Sequence, residues 1–465
     1  MRLRNTLESF RGLKVTVMGL GLNGGGIEAA KFFARRGAQV TATDLRSEEV
    51  LKPSIEALKD FPIRYVLGKH DMEDFKSADL VVKNPAVRPD SPFLRVAKRV
   101  ETDISLFLTY FPGPVLAVTG SKGKSTTVSA IHYGLQGVCP QARLGGNITV
   151  SPLSFLEDLE PYTPVVLELS SWQLADLPDP RILKPKVAVI TCILPDHQDR
   201  YPDMETYVRD KEIIFRYQSK EDATLLHYDD PYGRRFLTAT PGTPYAVSSH
   251  PLPQDVRGAY LQEGKGIAAL PDGQEEILPE KVNILGNHQR KNLLFAALAL
   301  KLWGIPLEII RKRLAEFPGV EHRLEYCGEI RGIRFYNDSA ATVPEATAFG
   351  IESFISPLRL ITGGTDKNLD FTPLLPLIGK SRGIYLLEGT GTAKLKRLLE
   401  EAQIPYQGPY NSLEKAVQEA YRKAVAGETI LFSPGCTSFG MFLNEFDRGR
   451  KFKEIVASLK AERAD

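Results

Sequence analysis

The stretch from Val115 to Thr127, which reads VLAVTGSKGKSTT, constrains the fold of this chain more than any other. Its apolar, β-branched start predicts a buried strand, and the residues after Gly123 predict a helix that begins near Lys124. A glycine turn between a strand and a helix forms a phosphate cradle, because the first N–H groups of the helix lack internal partners. Lys124 would add charge for β- and γ-phosphates, and the Ser125 hydroxyl can bind Mg²⁺.

This phosphate-loop pattern is imperfect, because its usual eight-residue form has glycine where this chain has Val118. The alternative is an ordinary strand–turn–helix that binds no ligand. A Gly-Lys-Ser-Thr sequence directly after a strand is hard to explain in that way, so we favour a loop that binds the phosphates of ATP.

The composition places the chain among ordinary globular proteins. A length of 465 residues predicts about three domains, and 43% hydrophobic with 25% charged residues is typical of the soluble class. A net charge of +2 gives no reason to expect a nucleic-acid partner. The four cysteines are scattered without metal-site or disulfide spacing, and no stretch approaches the roughly 20 apolar residues of a membrane span. We therefore expect a cytoplasmic protein without a membrane partner.

The first domain, placed at residues 1–102, begins with a nucleotide-binding pattern. Its strand is followed by a GxGxxG sequence formed by Gly19, Gly21 and Gly24. A helix is predicted from Gly26 to Arg36, and a second strand from Gln39 to Thr43 leads to Asp44. This βαβ unit is typical of NAD-binding proteins, but its geometry serves any diphosphate at a helix N-terminus. Asn84 follows another predicted strand and is either near the ligand or a simple turn former.

The middle domain, placed at residues 103–318, contains an unusual carboxylate. Glu168 ends a strand that is otherwise apolar, and a buried carboxylate must be paired or bind a metal ion. The alternative is a strand end that faces solvent. His197 lies just past the predicted strand from Val187 to Ile190, where α/β proteins place their ligands, although a single histidine is more often structural.

Three further segments of the middle domain give weaker signals. Lys211 lies on a helix predicted from Met204 to Gln218, and the pattern alone would make it a solvated lysine. Residues 221–280 are predicted to form strands and loops without specific chemistry. His288 and Asn292 are four residues apart at the start of a helix and should share one face.

The last domain, placed at residues 319–465, is predicted to be α/β with a largely parallel sheet. Its strand candidates are Ile333 to Tyr336, Leu358 to Ile361, Gly383 to Leu387 and Thr429 to Phe432. Polar clusters follow three of these strands, at residues 337–339, 362–367 and 433–438. Three polar loops at the ends of three parallel strands predict a binding crevice.

Taken together, these motifs resemble those of the Mur ligases, and the resemblance extends from Gly19 to Gly449. The motifs that carry it, in chain order, are Thr119 to Thr127, Gly145 to Asn147, Glu168 to Gln173, Asp196 to Pro202, Gly286 to His288 with Asn292, His322 with Arg323, Asn337 to Ser339, Thr362 to Gly364 with Lys367, and Ser433 to Cys436. As an ordered set they are highly specific, and they favour a UDP-sugar over NAD in the first domain.

The resemblance implies an α/β ligase with three mainly parallel sheets. The first and last domains would be Rossmann-like and the central one a P-loop ATPase domain. Within the family, the chain is most similar to the members that add D-glutamate to UDP-N-acetylmuramoyl-L-alanine, a precursor of peptidoglycan. The substrate carboxylate would attack the γ-phosphate of ATP to give an acyl phosphate, and the glutamate amine would then displace phosphate. We expect a monomer.

The resemblance also implies residue roles. The catalytic residues would be Lys124, His197 and Lys211. The ATP-binding residues would be Gly120, Ser121, Lys122, Gly123, Lys124, Ser125, Thr126, Asn292, Arg323 and Asp338. The UDP-substrate would contact Leu20, Gly21, Leu22, Asn23, Asp44, Asn84, Asn147, Ser170, Gln173 and His197. Glutamate would contact Thr342, Lys367, Ser438 and Phe442. Two Mg²⁺ sites would use Ser125, Glu168, His197 and Lys211, with Lys211 converted to a carbamate by CO₂.

Two departures from the family pattern leave alternatives open. Lys122 stands where the family usually has asparagine, and Ala340 stands where it usually has lysine. The same scaffold could therefore add L-glutamate or another amino acid. A folylpolyglutamate-type ligase would lack the GxGxxG sequence of the first domain, and an NAD-binding regulatory protein would not need Glu168, His197 and Lys211.

Overall fold

The computed structural model describes residues 10–22, 24–148, 150–194, 201–284, 286–366, 369–438 and 440–461. Three sheets organise these residues, and each sheet is built mainly from parallel strands flanked by helices. The predicted α/β class with three mainly parallel sheets is therefore confirmed. Within the described ranges, no helix is both long and apolar enough to cross a membrane.

The first sheet creates a ligand-binding switch point. Its strands are β1 (Lys14–Met18), β2 (Gln39–Asp44), β3 (Ile63–Leu67), β4 (Leu80–Lys83) and β5 (Val100–Glu101). The nearby helices are α1 (Gly25–Arg35), α2 (Glu48–Glu56), α3 (Met72–Lys76), α4 (Pro92–Arg95) and α5 (Asp103–Tyr110). All strands are parallel, in the order β3-β2-β1-β4-β5. The order reverses between β1 and β4, and ligands of open α/β sheets bind at the carboxyl ends of such a strand pair.

The second sheet carries the phosphate loop. Its strands are β6 (Val115–Thr119), β7 (Arg143–Gly146), β8 (Val165–Glu168), β9 (Val187–Ile190), β10 (Ala223–His227), β11 (Thr243–Ser248), β12 (Gly258–Gln262), β13 (Lys265–Leu270) and β14 (Gly273–Leu278). Its helices are α6 (Lys124–Leu135), α7 (Leu153–Leu156), α8 (Ser171–Ala175), α9 (Met204–Glu212), α10 (Pro231–Ala239), α11 (Asn287–Trp303) and α12 (Leu307–Glu316). The strand order is β14-β13-β12-β11-β10-β9-β6-β8-β7, with antiparallel pairing between β12, β13 and β14.

Burial explains why the central strands of this sheet could be recognised in the sequence. Every residue of β6, β8 and β9 is buried. Parallel strands covered on both faces require continuous apolar runs rather than alternation. Strand β6 lies between β8 and β9, so the loops that follow these three strands meet at one edge of the sheet.

The third sheet brings the polar loops of the last domain together. Its strands are β15 (Glu325–Ile330), β16 (Ile333–Asn337), β17 (Leu358–Thr362), β18 (Gly383–Leu387), β19 (Gln407–Tyr410) and β20 (Thr429–Phe432). Its helices are α13 (Pro344–Glu352), α14 (Leu375–Ile378), α15 (Thr390–Glu401), α16 (Leu413–Lys423) and α17 (Glu445–Ala461). The order is β15-β16-β20-β17-β18-β19, and among the described residues of this sheet only β15 and β16 pair in an antiparallel way.

The described chain forms two compact units. One contains residues 1–280 and 291–314, and the other contains residues 281–290 and 315–465. The first and second sheets share one unit and one buried hydrophobic cluster, in which Phe33 of α1 and Leu156 of α7 both take part. The domain boundaries at residues 102 and 318 remain predictions.

Two local predictions are wrong. The helix predicted from Met204 to Gln218 ends at Glu212, because the following apolar residues, Ile213 to Phe215, turn into the hydrophobic core. Residues 221–280 contain helix α10 as well as strands. The signal for that helix was present in the sequence, since Asp230 caps it and Pro231 occupies its first position.

Candidate active site

The loop between β6 and α6 has the conformation of a phosphate cradle. Gly123 adopts φ +87°, and a Cβ there would lie 2.4 Å from Oδ1 of Asn292, so Asn292 of α11 packs directly against the loop. The Lys124 ammonium donates hydrogen bonds to the carbonyls of Gly120 (2.9 Å) and Ser121 (3.2 Å). The loop is therefore ordered around its lysine, and the N-terminus of α6 faces the space where phosphate would bind.

Ser121 has a structural role within this loop. Its hydroxyl accepts a hydrogen bond from the Leu194 N–H at 2.9 Å and lies 2.9 Å from the Tyr207 hydroxyl. Because these contacts occupy the side chain, Ser121 can reach ATP only through its backbone. Lys122 is exposed, whereas Ser125 and Thr126 are half-buried at the start of α6.

Glu168 is buried at the end of β8, with 1% of its surface exposed. Its Oε1 accepts a hydrogen bond from the side-chain amide of Asn147 at 2.9 Å. Its Oε2 is buried and has no hydrogen-bond partner among the described residues. An unsatisfied buried carboxylate oxygen is costly, and a hard cation would satisfy it. The Glu168 carboxylate and the Ser125 hydroxyl are oxygen ligands of the type Mg²⁺ prefers, so these residues fit the ion.

The lysine on α9 is buried rather than solvated. Lys211 is 2% exposed, and its ammonium donates to the Gly120 carbonyl at 3.0 Å and to the Thr119 hydroxyl at 3.4 Å. The same ammonium lies 4.6 Å from the ring centre of Tyr207, one helical turn earlier. The solvated lysine that the helical pattern alone indicates is wrong, because this face of α9 packs against the phosphate loop. His197 lies outside the described residues.

A cavity of about 1100 Å³ occupies the carboxyl ends of β1 and β4. The predicted substrate-binding residues that line it are Gly21, Leu22, Asp44, Asn84, Asn147, Ser170 and Gln173. Lys124 lines the same cavity, so one space extends from the glycine loop of the first sheet to the phosphate loop of the second. Leu20 is fully buried in the core, which leaves its backbone alone for substrate contact, and Asn23 lies outside the described residues.

Asp44 organises the end of the cavity in the first sheet. Its carboxylate accepts hydrogen bonds from the Gly21 N–H at 3.0 Å and from the Arg46 guanidinium at 2.9 Å. Burial alone would raise the pKa of Asp44, but the hydrogen bonds from Arg46 and Gly21 hold that pKa below its ordinary value. The carboxylate is therefore ionised and fixed beside the glycine loop.

The sequence did not predict several of the residues that line the cavity. They are Arg46, His70, Phe93, Asp103 and Trp172. Trp172 lies within a quoted motif and Arg46 follows Asp44 closely, so their positions could have suggested a role. The other three come from separate loops or helix ends that carry no recognisable pattern, and folding alone brings them to the cavity.

The second compact unit holds its own polar cluster. Arg448 is 1% exposed and donates to the Ser339 carbonyl at 2.7 Å and to the Cys436 carbonyl at 3.1 Å. The Thr362 hydroxyl donates to the Pro434 carbonyl at 2.9 Å. The loops after β16, β17 and β20 are therefore joined, as predicted from their positions after parallel strands.

Asp338 is the most strongly perturbed acid of this cluster. It is 7% exposed, and burial raises the pKa of its carboxyl to about 7 even though the Ser433 hydroxyl donates to it at 2.7 Å. Arg323 is exposed, and Thr342 and Phe442 are half-buried. Ser438 is buried, and its carbonyl accepts a hydrogen bond from the Phe442 N–H at 3.1 Å. Lys367 lies outside the described residues.

A strand–loop–helix phosphate cradle beside a buried carboxylate and a buried lysine defines a nucleotide-dependent α/β enzyme of the P-loop class. Two family models match this chain: the Mur ligase middle domain over residues 118–300 and the Mur ligase MurD-like N-terminal domain over residues 13–105. The chain belongs to the Mur ligase family.

Full-length relatives agree with this assignment. A Treponema pallidum protein named UDP-N-acetylmuramoylalanine–D-glutamate ligase is 39% identical, over 96% of this chain and 98% of its own length. A Roseiflexus protein of the same name is 40% identical, over 96% of this chain and 99% of its own.

Solved structures support the fold. The UDP-N-acetylmuramate-alanine ligase MurC from Thermotoga maritima has a TM-score of 0.56 at 18% identity, over 96% of this chain and all of its own. The MurF ligase from the same organism, solved in complex with ADP, has a TM-score of 0.52 at 18% identity, over 97% of this chain and 96% of its own.

Proposed function

We propose that this protein is an ATP-dependent ligase that joins D-glutamate to UDP-N-acetylmuramoyl-L-alanine in the synthesis of peptidoglycan precursors. The full-length relatives that carry this activity in their names support the choice of substrates. The observation that carries the proposal is the single cavity that reaches from Gly21 and Asp44 to Lys124. Such a cavity would allow one substrate to bind at the first sheet and to present its carboxylate at the phosphate loop.

The UDP-sugar is the ligand we propose for the first sheet. Its diphosphate would lie at the N-terminus of α1, where unpaired N–H groups and the helix dipole favour anions. Asp44 would accept a hydrogen bond from a donor group of the nucleotide. Asn147, Ser170 and Gln173 would contact the part of the substrate that approaches the phosphate loop.

The chemistry would proceed in two steps. An oxygen of the alanyl carboxylate attacks the γ-phosphorus of ATP, the bond to ADP breaks, and an acyl phosphate forms. The amine of glutamate then attacks the acyl carbon, loses a proton, and phosphate leaves. Lys124 and the loop N–H groups would hold the phosphates in line for attack and offset the charge on the transferring group. Asn292, which touches the loop, would position the nucleotide.

Mg²⁺ would be held by Ser125 and Glu168 at one site and by His197 and Lys211 at a second. When bound, the ion would neutralise charge on the ATP phosphates and on the transferring phosphoryl group. The unsatisfied Oε2 of Glu168 supports the first site. The hydrogen bond from Asn147 to Oε1 would orient the Glu168 carboxylate and leave Oε2 available to the ion.

Lys211 would act as a carbamate. Its neutral amine attacks CO₂, a C–N bond forms, and a proton is released to solvent, which leaves an anionic carbamate in place of a cation. An ammonium beside Mg²⁺ would be repelled, whereas a carbamate oxygen is a suitable ligand. The burial of Lys211 against the phosphate loop supports this role, because a surface lysine could not reach the metal.

The polar cluster of the second compact unit would supply further contacts to the substrates. We propose that Arg323 and Asp338 contact the nucleotide and that Thr342, Lys367, Ser438 and Phe442 hold the incoming glutamate. Ala340 and Lys122 stand where the family usually has lysine and asparagine, so L-glutamate and other amino acids remain necessary competitors in any assay. We propose a cytoplasmic monomer.

Phosphate release from ATP tests the proposal. We expect release with UDP-N-acetylmuramoyl-L-alanine and D-glutamate together. We expect little with L-glutamate in place of D-glutamate, with folate and glutamate, or with NAD. Equal turnover of both glutamate enantiomers would reject the assignment of D-glutamate, and release with folate would favour the other ligase class.

The Lys124→Ala variant tests the separation of the two nucleotide sites. Because Lys124 orders the phosphate loop, its loss should reduce phosphate release at least roughly 100-fold. Binding of the UDP-substrate, measured by calorimetry, should change much less, because most cavity contacts come from the first sheet. A parallel loss of UDP-substrate binding would contradict this division of roles.

A further inference from the structure

A buried ion pair joins the first and second sheets beside the cavity. Lys83 is the last residue of β4, and Asp176 directly follows α8. Their charged groups are in contact, and the two side chains are only 4% and 5% exposed. The residues are 93 positions apart and belong to the same compact unit, so the pair connects two sheets that surround one cavity.

Lys83 holds one segment of the cavity wall. Its ammonium also donates to the Val87 carbonyl at 3.1 Å. That bond closes a turn in which the Val87 N–H donates to the Asn84 carbonyl at 2.9 Å and the Ala86 N–H donates to Oδ1 of Asn84 at 3.0 Å. Residues 84–88 all line the cavity. The position of Lys83 therefore sets the position of this turn.

Asp176 is attached to a different segment of the wall. Its N–H donates to the Trp172 carbonyl at 2.9 Å and ends helix α8. The same short helix begins with a capping box in which the Ser170 and Gln173 side chains bond each other's backbone N–H groups. Ser170, Trp172 and Gln173 line the cavity. The ion pair thus ties the turn after β4 to the helix after β8.

Stability alone does not explain this pair. Removing two charges from water costs free energy that their attraction often fails to recover, and an apolar pair of similar size can be as stable. Neither Lys83 nor Asp176 lines the cavity itself. What a paired cation and anion provide, and an apolar contact does not, is a fixed distance and direction between the two segments.

We propose that Lys83 and Asp176 are positioning residues that set the spacing of the cavity walls for the UDP-sugar substrate. This proposal rests on the proposed function, since it takes the UDP-sugar as the ligand of that cavity. The pair acts through the turn at Asn84 and through α8, and it holds both segments in place before the substrate arrives. Without the pair, the two wall segments become fixed only when the substrate binds. That ordering costs binding free energy, so the affinity for the UDP-sugar falls while the reacting groups are unchanged.

The test uses the double variant Lys83→Met/Asp176→Leu, which removes both charges and keeps an apolar contact. We expect a melting temperature close to that of the wild type. The KM for UDP-N-acetylmuramoyl-L-alanine should rise about tenfold, because the walls are no longer pre-organised. The KM values for ATP and D-glutamate and the kcat should stay within about threefold of wild type.

A second ion pair offers a matched control. Arg36, which follows α1, contacts Glu157, which follows α7, at 2.9 Å, with side chains 10% and 15% exposed. This pair also joins the first-sheet region to the second, but neither residue lines the cavity. Arg36→Met/Glu157→Leu should leave the KM for the UDP-substrate unchanged.

The results of these measurements distinguish a failure of the positioning role from a failure of the proposed function. An unchanged KM in the Lys83 and Asp176 variant, or an equal rise in both double variants, would overturn the proposal. If the double variant does not fold, Asp176→Asn replaces it; a threefold or larger rise in the same KM supports the proposal and an unchanged KM rejects it. A wild-type protein that fails to ligate these substrates would reject the proposed function and this inference with it, whereas an active wild type with an unaffected variant would reject the inference alone.

Discussion

At the scale of single residues, Glu168 and Lys211 show what local pattern can and cannot predict. A carboxylate at the end of an apolar strand was recognisable, because few explanations other than pairing or metal binding exist for it. A lysine on a polar helix looks like any surface lysine. Its burial depends on α9 packing against the phosphate loop, which residues distant in the sequence determine.

The carbamate that we propose on Lys211 gives a prediction at this scale. Lys211→Ala should lose activity by roughly 100-fold or more, because the proposed second metal site would lack its oxygen ligand. Acetate should restore part of that activity by placing a carboxylate in the vacated space. Removal of CO₂ and bicarbonate should slow the wild type but not the rescued variant.

The exposed Lys220 provides a control for the loss of a lysine from the same region. Lys220→Ala should behave as the wild type in every condition. Normal turnover by Lys211→Ala, or a wild type indifferent to bicarbonate, would show that Lys211 is not carbamylated.

Asp338 gives a prediction about pH. Its folded-state pKa of about 7 lies above the ordinary value of 3.8, so the folded state binds the proton more tightly than the unfolded state. Its contribution to stability is therefore fully present below pH 3.8 and is lost as the pH rises through 7. Between pH 5 and 7, Asp338→Asn should gain up to about 3 kcal/mol relative to wild type. Denaturant unfolding at both pH values measures this difference, and parallel pH dependences of the two proteins would contradict it.

At the scale of elements, the phosphate loop and the strands that the sequence analysis named were predicted to within a residue or two, whereas the parallel strands β3, β5, β7 and β19 were not predicted. Continuous apolar runs that end at glycine mark such strands clearly. The edge strand β15 was missed because its residues, Glu325–Ile330, mix polar and apolar types without a run. The end of α9 was misplaced because three apolar residues extend the helical pattern beyond Glu212.

The glycine loop of the first sheet gives an element-scale prediction. A side chain at Gly26 would lie 2.4 Å from the Leu20 carbonyl and 2.5 Å from the Gly19 carbonyl. Gly26→Ala should therefore push α1 away from the loop, cost about 1–3 kcal/mol of stability, and raise the KM for the UDP-substrate. Gly304 has open space around it but adopts φ +93°, so Gly304→Ala should also lower stability and yet leave that KM unchanged. Equal KM values in the Gly26 variant and wild type would show that α1 does not position the substrate.

At the scale of the whole molecule, sequence motifs predicted the three sheets and eight of the 26 residues that line the cavity of the first compact unit. They could not predict that the cavity is continuous, nor that Lys83 and Asp176 pair beside it. Those features depend on how the first and second sheets pack together. Hydrophobic periodicity and motif spacing in the sequence do not predict that packing. The central claim is that a carboxylate in this cavity reaches ATP at Lys124.

Isotope transfer tests that claim most directly. UDP-N-acetylmuramoyl-L-alanine labelled with ¹⁸O in its alanyl carboxylate would be incubated with ATP and D-glutamate, and the released phosphate analysed by mass spectrometry. If the carboxylate attacks the γ-phosphate, one labelled oxygen must pass from the substrate to phosphate in each turnover. Amide product accompanied by unlabelled phosphate would contradict the acyl-phosphate route and the function proposed for this cavity.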